Sequence, residues 1–296
     1  MIYHLLTYKK TGRIIPVGAC VIITMILLVM LFESALLEAK STDVRRTDTL
    51  FQSLKTRVPV YFVHVKNMYP HDAESFTEGL FFYQGHLYES AGLYKKSSLA
   101  RKDRLTGKTL HEVRLPDRFF GEGVALLKGK IYQLTWREQI VFVYEADSLK
   151  KIGQITYQGE GWGLTTDGRY LLMSDGSPVI TFRHPDTFAA IRTIVVHDGA
   201  VPIGNLNELE YVGDEIWANI FMRDIIARIS PADGRVVGWI DLSPLRLLIP
   251  DNDRVDVLNG IACDAKTGRI FVTGKYWPLV FEIQLSAPLP PGPQLP

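Results

Sequence analysis

The sequence predicts an all-β fold, a five-bladed β-propeller, and two observations carry this prediction. The first is a segment that occurs five times, in which a short apolar strand, a Gly-containing turn and a second strand follow one another. Aligned on one apolar position per copy, the copies are 44, 40, 45 and 52 residues apart, at Leu80, Val124, Leu164, Leu209 and Ile261. The second is a third strand after each copy and, in the first four, a fourth strand. Four short strands repeated at this spacing are typical of propeller blades.

The two ends of the repeated region complement each other. The fifth copy has only three strands, because a Pro-rich tail follows its third strand at 280–285. A strand with alternating hydrophobicity at 58–68 precedes the first copy. Pairing of this strand with the last blade would close the ring and leave no open sheet edge. We therefore expect the propeller at 57–286 and a disordered tail at 287–296.

The N-terminal region carries a targeting signal. Residues 14–32 are nineteen consecutive residues without a charge, and three basic residues precede them. A helix of this length is about 28 Å long and can span a bilayer, and the basic residues predict that its N-terminal end stays in the cytoplasm. We expect a transmembrane anchor within 1–33 and a polar linker at 34–56, so that the propeller is exported to the periplasmic side of the inner membrane. A cleaved signal peptide, with Ala35 or Ala39 at the cleavage site, is the alternative.

The composition argues against several classes of function. The chain has 296 residues and a net charge of +1, and its basic residues are scattered among acidic ones, so no nucleic-acid partner is predicted. The seven histidines and two cysteines do not show the spacing of metal ligands. We expect no metal cofactor, although Asp- and Asn-containing loops could hold a structural Ca²⁺. Cys20 and Cys263 lie in such different contexts that no disulfide is expected between them, and we expect a monomer.

The residues that open the five inner strands are the first candidates for a functional site, because inner strands line the channel of a propeller. These residues are Glu78, Glu122, Trp162, Asn207 and Asn259. Strand packing does not require two carboxylates, an indole and two amides at equivalent positions. Turn chemistry alone is the competing explanation for the Asn-Gly and Glu-Gly pairs. We predict a site on this face of the ring, with Glu122 at its centre.

The ends of the second strands should face the same region. They add Glu89, Trp136, Asp175, Asn219 and Lys275. Lys275 lies in an apolar and aromatic stretch, and a buried lysine needs a carboxylate partner or a lowered pKa. A tryptophan is more often a core residue than a ligand contact. Three of them at equivalent blade ends nevertheless predict a pocket with aromatic walls, formed by Trp136, Trp162 and Trp277.

Long segments of this chain resemble the glutamine cyclotransferases, the glutaminyl-peptide cyclotransferases of the plant-latex and bacterial type. The shared motifs cover all five blades, from about Phe76 to Ile283, and are Tyr88–Tyr94, Phe120–Gly123, Leu134–Trp136, Gly161–Gly168, Ser174–Ser177, Leu206–Glu210, Leu258–Ala262 and Val272–Pro278. The resemblance implies a five-bladed propeller, in agreement with the repeats. It implies an acyltransferase that converts the N-terminal glutaminyl residue of a peptide or protein to pyroglutamyl with release of ammonia, without a metal.

The resemblance also implies roles for individual residues. Glu122 matches the catalytic glutamate and would carry a proton from the attacking amine to the leaving nitrogen. Asn207 and Lys275 match pocket residues that could polarise the γ-carbonyl, and we place them with Glu122 in the catalytic set. The expected substrate-binding residues are Glu78, Trp136, Trp162, Phe221, Asn259 and Trp277.

Two positions depart from the family pattern. Glu78 stands where the family usually has glutamine, and Phe221 stands where it usually has tryptophan. Glu78 adds a second carboxylate to the ring that holds Glu122, and neighbouring carboxylates tend to share a proton. It could instead bind the substrate ammonium. Two other functions stay open: a non-catalytic propeller that binds peptide N-termini or protein partners, and a propeller hydrolase with a central Ca²⁺, as in lactonases.

Overall fold

The computed structural model describes residues 56, 58–250 and 253–288. They form β-strands and a 3₁₀ helix at Ser243–Leu248. Within these ranges no helix is long and apolar enough to cross a membrane. The expected anchor at 14–32 lies outside the described residues, as do nearly all of the linker and most of the Pro-rich tail.

The strands form five sheets of propeller blades. Two short strands come first, β1 (Val60–Tyr61) and β2 (Val63–Pro70). Blade 1 contains β3 (Thr77–Tyr83), β4 (His86–Ala91), β5 (Ser98–Asp103) and β6 (Thr109–Arg114). Blade 2 contains β7 (Gly121–Leu127), β8 (Lys130–Thr135), β9 (Ile140–Glu145) and β10 (Lys151–Thr156). Blade 3 contains β11 (Leu164–Thr166), β12 (Leu171–Ser174), β13 (Val179–Arg183) and β14 (Ala190–Val195).

The remaining strands form a hairpin and blades 4 and 5. A hairpin follows blade 3, formed by β15 (His197–Asp198) and β16 (Val201–Pro202). Blade 4 contains β17 (Leu206–Val212), β18 (Glu215–Ile220), β19 (Ile225–Ile229) and β20 (Val236–Asp241). Blade 5 contains β21 (Leu258–Asp264), β22 (Arg269–Gly274) and β23 (Leu279–Leu285), with β2 as its outer strand. The prediction of five blades is confirmed.

Neighbouring blades meet along their inner strands. In blades 1 to 4, antiparallel strands follow chain order from the channel outwards. The inner strands β3, β7, β11, β17 and β21 lie against one another in turn, and β21 lies against β3. Apolar side chains fill the space between blades; Tyr88, Leu99 and Phe142, for example, belong to one buried cluster of blades 1 and 2. This packing holds the entrances of the five inner strands on one side of the ring.

The segment before blade 1 differs from the prediction of one strand at 58–68. It forms two strands in different sheets. Between the two strands, the backbone N–H of Phe62 donates to Ser286 Oγ, 3.0 Å away. Before this point β1 runs parallel to β20 of blade 4. After it β2 pairs antiparallel with β23 of blade 5, from Val63 opposite Leu285 to Pro70 opposite Leu279. The last blade therefore takes its fourth strand from the N-terminal side of the propeller.

Four inner strands have a register shift, as at a β-bulge, where the candidate residues lie. The shifts fall at 77–79, 121–124, 206–209 and 258–261. A bulge interrupts the alternation of side chains and re-aims one of them. The residues inside these shifts include Glu78, Glu122, Asn207 and Asn259.

Glycine allows the inner strands to approach closely beside these residues. A Cβ atom at Gly123 would meet the backbone of Trp162, Gly163 and Leu164, and one at Gly163 would meet the backbone of Asn207. Glu122, Trp162 and Asn207 therefore lie on backbone segments that are in direct contact.

Candidate active site

Glu122 is a buried carboxyl group at the entrance of the inner strand β7. Its residue is 6% exposed. Its backbone is held, since Ser90 Oγ donates to the carbonyl oxygen of Glu122 and Gln133 Nε2 donates to Ser90 Oγ at 2.8 Å. In the described part of the chain, no side chain or backbone N–H donates to its carboxylate. Burial first, and then the charge of Glu78, raise the pKa of Glu122 well above its usual value of 4.5.

Glu78 and Lys275 form a buried ion pair next to Glu122. The distance from Lys275 Nζ to Glu78 Oε1 is 2.7 Å, and both side chains are almost inaccessible to water. Asn259 Nδ2 donates to the backbone carbonyl of Thr77 at 2.9 Å and lies 3.4 Å from Glu78 Oε2. Burial raises the pKa of Glu78 to about 7, although the charge of Lys275 opposes this shift. The carboxylate partner expected for a buried Lys275 is therefore Glu78.

Six partly exposed aromatic rings lie around Glu122 and the Glu78–Lys275 ion pair. They belong to Phe76, Phe120, Trp136, Trp162, Phe221 and Tyr276. Phe76 lies 5.2 Å from Tyr276 and 6.3 Å from Phe120, measured between ring centroids. Phe120 lies 5.6 Å from Trp136. Lys275 Nζ lies 4.3 Å from the centroid of Phe76. The rings therefore form a nearly continuous wall above the ion pair.

Trp162 and Phe221, two of the residues expected to bind substrate, lie on the other side of this wall. Trp162 contacts Phe221 edge-on, with the centroids 5.7 Å apart, and Lys275 Nζ lies 5.7 Å from the Phe221 ring. Glu160 links Trp162 to Trp136, since its Oε2 accepts a hydrogen bond from each indole. The structure thus brings together Trp136, Trp162 and Phe221, three of the residues expected to bind substrate.

Several amides in the site have unused hydrogen-bonding atoms. Asn207 is 3% exposed, and its backbone carbonyl accepts a hydrogen bond from Ser174 Oγ at 2.7 Å, but no described residue bonds to its side-chain amide. Asn219 Oδ1 accepts the backbone N–H of Gly260 at 3.0 Å, while its Nδ2 has no partner among the described residues. Buried polar atoms are normally paired. Unpaired amides beside Glu122 therefore suit a ligand with carbonyl and amine groups.

Two residues expected at this face lie elsewhere. Trp277 is fully buried in the core, packs against Phe281 and donates its indole N–H to the carbonyl of Asp256 at 2.9 Å. It turns back onto its own strand because Gly274 has no side chain at the place where the indole lies. Glu89 lies in the middle of blade 1, where Lys102 Nζ is 2.5 Å away. Neither residue lines the aromatic wall.

The sequence-based prediction missed five residues. Phe76 and Phe120 each stand two positions before an entrance carboxylate, and this repeated spacing could have identified them. Tyr276 and Glu160 had no comparable signal. Glu208 is fully buried and accepts the backbone N–H groups of Leu80 at 3.2 Å and Ile261 at 2.9 Å, so that it ties blade 4 to blades 1 and 5. The sequence signal for Glu208 was the presence of an acidic residue within a predicted inner strand.

The described residues contain no cluster of three or more His, Cys, Asp or Glu side chains arranged to hold a metal ion. A structural Ca²⁺ therefore has no candidate site of this kind in that part of the chain. The described site contains two buried carboxyl groups, one ammonium, amides and aromatic rings.

Comparison with known proteins assigns the chain to a family. The sequence model described as Glutamine cyclotransferase matches residues 30–285. A protein of Arabidopsis thaliana named glutaminyl-peptide cyclotransferase is 42% identical over 229 residues, which cover 76% of this chain and 71% of that protein. The crystal structure of Myxococcus xanthus glutaminyl cyclase matches with a TM-score of 0.74 and 36% identity, covering 78% of this chain and 99% of that chain. The chain therefore belongs to the glutamine cyclotransferase family.

Proposed function

We propose that this chain is a glutaminyl-peptide cyclotransferase, which converts the N-terminal glutaminyl residue of a peptide or protein to pyroglutamyl and releases ammonia. The observation that carries this proposal is the carboxyl group of Glu122, which is buried, has a raised pKa and has no hydrogen-bond donor within the described residues. Such a group is free to exchange a proton with a ligand. The names of the Arabidopsis and Myxococcus relatives support the same activity.

The reaction needs a proton carrier but no protein nucleophile. The α-amine nitrogen of the substrate attacks the γ-carboxamide carbon of the same residue, and a carbon–nitrogen bond closes a five-membered ring. Glu122 takes a proton from the attacking amine and delivers it to the amide nitrogen, which leaves as ammonia when its bond to carbon breaks. Once it has delivered the proton, Glu122 is a carboxylate again, as it was before the attack. This is acyl transfer to an amine of the same molecule.

The developing negative charge on the γ-carbonyl oxygen requires donors. We assign this role to the ammonium of Lys275 and the unpaired side-chain amide of Asn207. Glu78 holds Lys275 in one orientation through the 2.7 Å contact, so the donor does not have to reorganise during the reaction. The aromatic rings provide the other requirement, since they exclude water and hold the substrate side chain folded back on its own amine.

Ammonia release tests this function. The purified protein would be incubated with a peptide that begins with glutamine, and ammonia would be measured from about pH 5 to 9. We expect release from this peptide and none from the same peptide with an acetylated N-terminus, which has no free amine. Glu122→Gln should lower kcat by about 10²- to 10⁴-fold, the usual contribution of a positioned acid–base group. No release at any pH would refute the proposed function.

A peptide-binding propeller without turnover is the second candidate, and one observation favours it. Glu78 holds Lys275 in an ion pair, so a charge that the reaction needs is partly neutralised. In that case calorimetry would detect binding of the glutamine-initiated peptide without release of ammonia. The Glu78→Gln variant would then gain turnover. Ammonia release by the unaltered protein would exclude this candidate.

We also propose that pairing of β2 with β23 closes the ring of blades. We further propose that residues 14–32 anchor the protein in the inner membrane, with the propeller exported. The uncharged length of the segment and the basic residues before it support the anchor. Cell fractionation of the full chain and of a chain that begins at Thr56 would test it. We expect the full chain in the membrane fraction and the shorter one, with its ammonia release retained, in the soluble fraction. Equal distribution of the two chains would contradict the anchor.

A further inference from the structure

Glu160 joins two walls of the active site that come from different blades. Its Oε2 atom accepts the indole N–H of Trp136, which follows the second strand of blade 2, at 2.8 Å. The same oxygen lies 3.2 Å from the indole nitrogen of Trp162, which precedes the inner strand of blade 3. One carboxylate oxygen therefore fixes the N–H edges of both rings. No described hydrogen bond links the two indoles to each other.

A neighbouring arginine completes this arrangement. Arg137 Nε donates to Glu160 Oε1 at 2.9 Å, and its guanidinium lies 3.8 Å from the centroid of the Trp136 ring. Glu160 and Arg137 therefore hold the Trp136 indole from its edge and from one face. The backbone adds a further link, because the N–H of Gly161 donates to the carbonyl of Trp136 at 3.0 Å.

Glu160 is ionised near neutral pH, since its pKa lies below the usual value of 4.5. Partial burial raises its pKa, but the hydrogen bonds from the two indoles and Arg137 outweigh this effect and hold the pKa below its usual value. Its charge also reaches the reaction centre, where it helps, after burial and Glu78, to raise the pKa of Glu122. The residue therefore acts on the site through geometry and through its charge.

We propose that Glu160 is a positioning residue for the cyclisation, which holds Trp136 and Trp162 at the orientation that keeps the substrate glutamine folded on its own amine. This inference rests on the proposed function. The attacking nitrogen must come within about 3 to 3.5 Å of the γ-carbon. Both indoles are partly exposed, so their orientation depends on the hydrogen bonds at their N–H edges.

The test compares Glu160→Ala with Glu160→Gln in the full-length protein. Alanine removes the acceptor and the charge, and kcat/KM for the glutamine-initiated peptide should fall by about 10- to 100-fold, as expected for a misplaced substrate. Glutamine keeps an oxygen that can accept from the indoles, so it should restore most of this loss. In both variants the limb of the pH–rate profile that Glu122 sets should move to lower pH, because one negative charge near Glu122 is absent.

The chain offers a matched control in blade 4. Glu215 also accepts from an indole and an arginine, from Trp217 Nε1 at 3.3 Å and Arg228 Nε at 2.7 Å, but it links only one indole. It lies at the start of β18, while the site residue Asn219 lies near the other end of that strand. Glu215→Ala should leave kcat/KM and the pH–rate profile unchanged.

A readout without substrate separates this inference from the proposed function. The protein contains five tryptophans, and ¹⁵N labelling makes each indole N–H visible by NMR. Glu160→Ala should shift two indole resonances and Glu215→Ala should shift a different one. If the unaltered protein releases no ammonia, the proposed function fails, whatever the resonances show. If the unaltered protein is active and Glu160→Ala has normal kinetics, the positioning role is wrong while the proposed function stands. The same conclusion follows if Glu160→Gln is as impaired as Glu160→Ala and the pH limb does not move.

Discussion

At the residue scale, the candidate site contains two carboxyl groups with raised pKa values. Glu122 has no donor in the described part of the chain, whereas Glu78 is bound to Lys275. The two negative charges repel each other, so each disfavours ionisation of the other group. The charge of Glu78 is the second cause, after burial, of the raised pKa of Glu122. Because each group affects the titration of the other, the pH dependence of the reaction belongs to the pair.

Replacement of Glu78 by glutamine should change the pH dependence in a defined direction. The substitution removes a negative charge near Glu122 and leaves the positive charge of Lys275, and both changes favour the ionised form of Glu122. We expect the pH limb that Glu122 sets to move to lower pH by about one unit or more, since nearby buried charges interact by at least one pKa unit. The profile of kcat/KM against pH measures this shift.

An exposed carboxylate just before β3 provides the control for this prediction. Glu74 pairs with Arg254 at the surface, where water screens its charge. Glu74→Gln should leave the limb in place. If Glu78→Gln also left it in place, Glu78 would not influence the titration of Glu122.

At the scale of the elements, the site depends on close contact between inner strands. Gly123 lies directly after Glu122, and Gly163 lies directly after Trp162. A side chain at Gly123 would separate blade 2 from blade 3, because its Cβ would overlap backbone atoms that cannot move aside as a flexible side chain can. Stability and the position of Glu122 are therefore linked through one backbone contact.

Gly123→Ala should destabilise the protein by roughly 1 to 3 kcal/mol, the usual cost of forcing an extra carbon atom into a packed region. Urea denaturation would measure the change in the free energy of unfolding. The matched control is Gly153→Ala in the outer strand β10, where an added Cβ meets no atom within 4 Å. It should change the free energy by no more than about 0.5 kcal/mol. Equal effects of the two substitutions would show that the contact between blades 2 and 3 is not tight.

The sequence identified those parts of the fold and site that depend on local patterns. Five blades follow from the spacing of repeats, and Glu78 and Glu122 follow from their equivalent places within two repeats. Contacts between distant segments could not be read in this way. Glu160 is recognisable as part of the site only when Trp136 and Trp162 are seen together, and Trp277 was misplaced because its neighbour Gly274 lets the indole turn into the core.

At the scale of the whole molecule, several inner strands carry a buried carboxyl group with a raised pKa. The pKa of Glu78 is raised to about 7 and that of Glu210 to about 8, in both cases chiefly by burial. Burial also raises the pKa of Glu208 well above its usual value, and the charge of Glu210 adds to this effect. Glu89 in blade 1 differs, since burial would raise its pKa but Lys102 and His71 hold it well below its usual value. Glu78, Glu208 and Glu210 therefore bind a proton more tightly in the folded state than in the unfolded chain.

This distribution predicts that stability falls as the pH rises above about 5. A carboxyl group whose pKa is raised in the folded state binds more protons there than in the unfolded chain, so its contribution is complete below the unfolded value of 4.5 and is lost as the pH rises through about 7 for Glu78 and about 8 for Glu210. Each such group adds a slope of up to about 1.4 kcal/mol per pH unit within its window. Glu89 acts oppositely, and its contribution is lost only below pH 4.5.

Urea denaturation at about pH 5.5 and pH 8.5 would measure this effect, and we expect a lower midpoint at the higher pH. Glu210→Gln cannot ionise, so it should reduce the difference between the two midpoints while the wild-type protein keeps it. A midpoint that is constant or that rises with pH would mean that the channel carboxyl groups titrate at ordinary values. In that case the pKa of Glu122 would also lie near its usual value, because burial is the main cause that raises it.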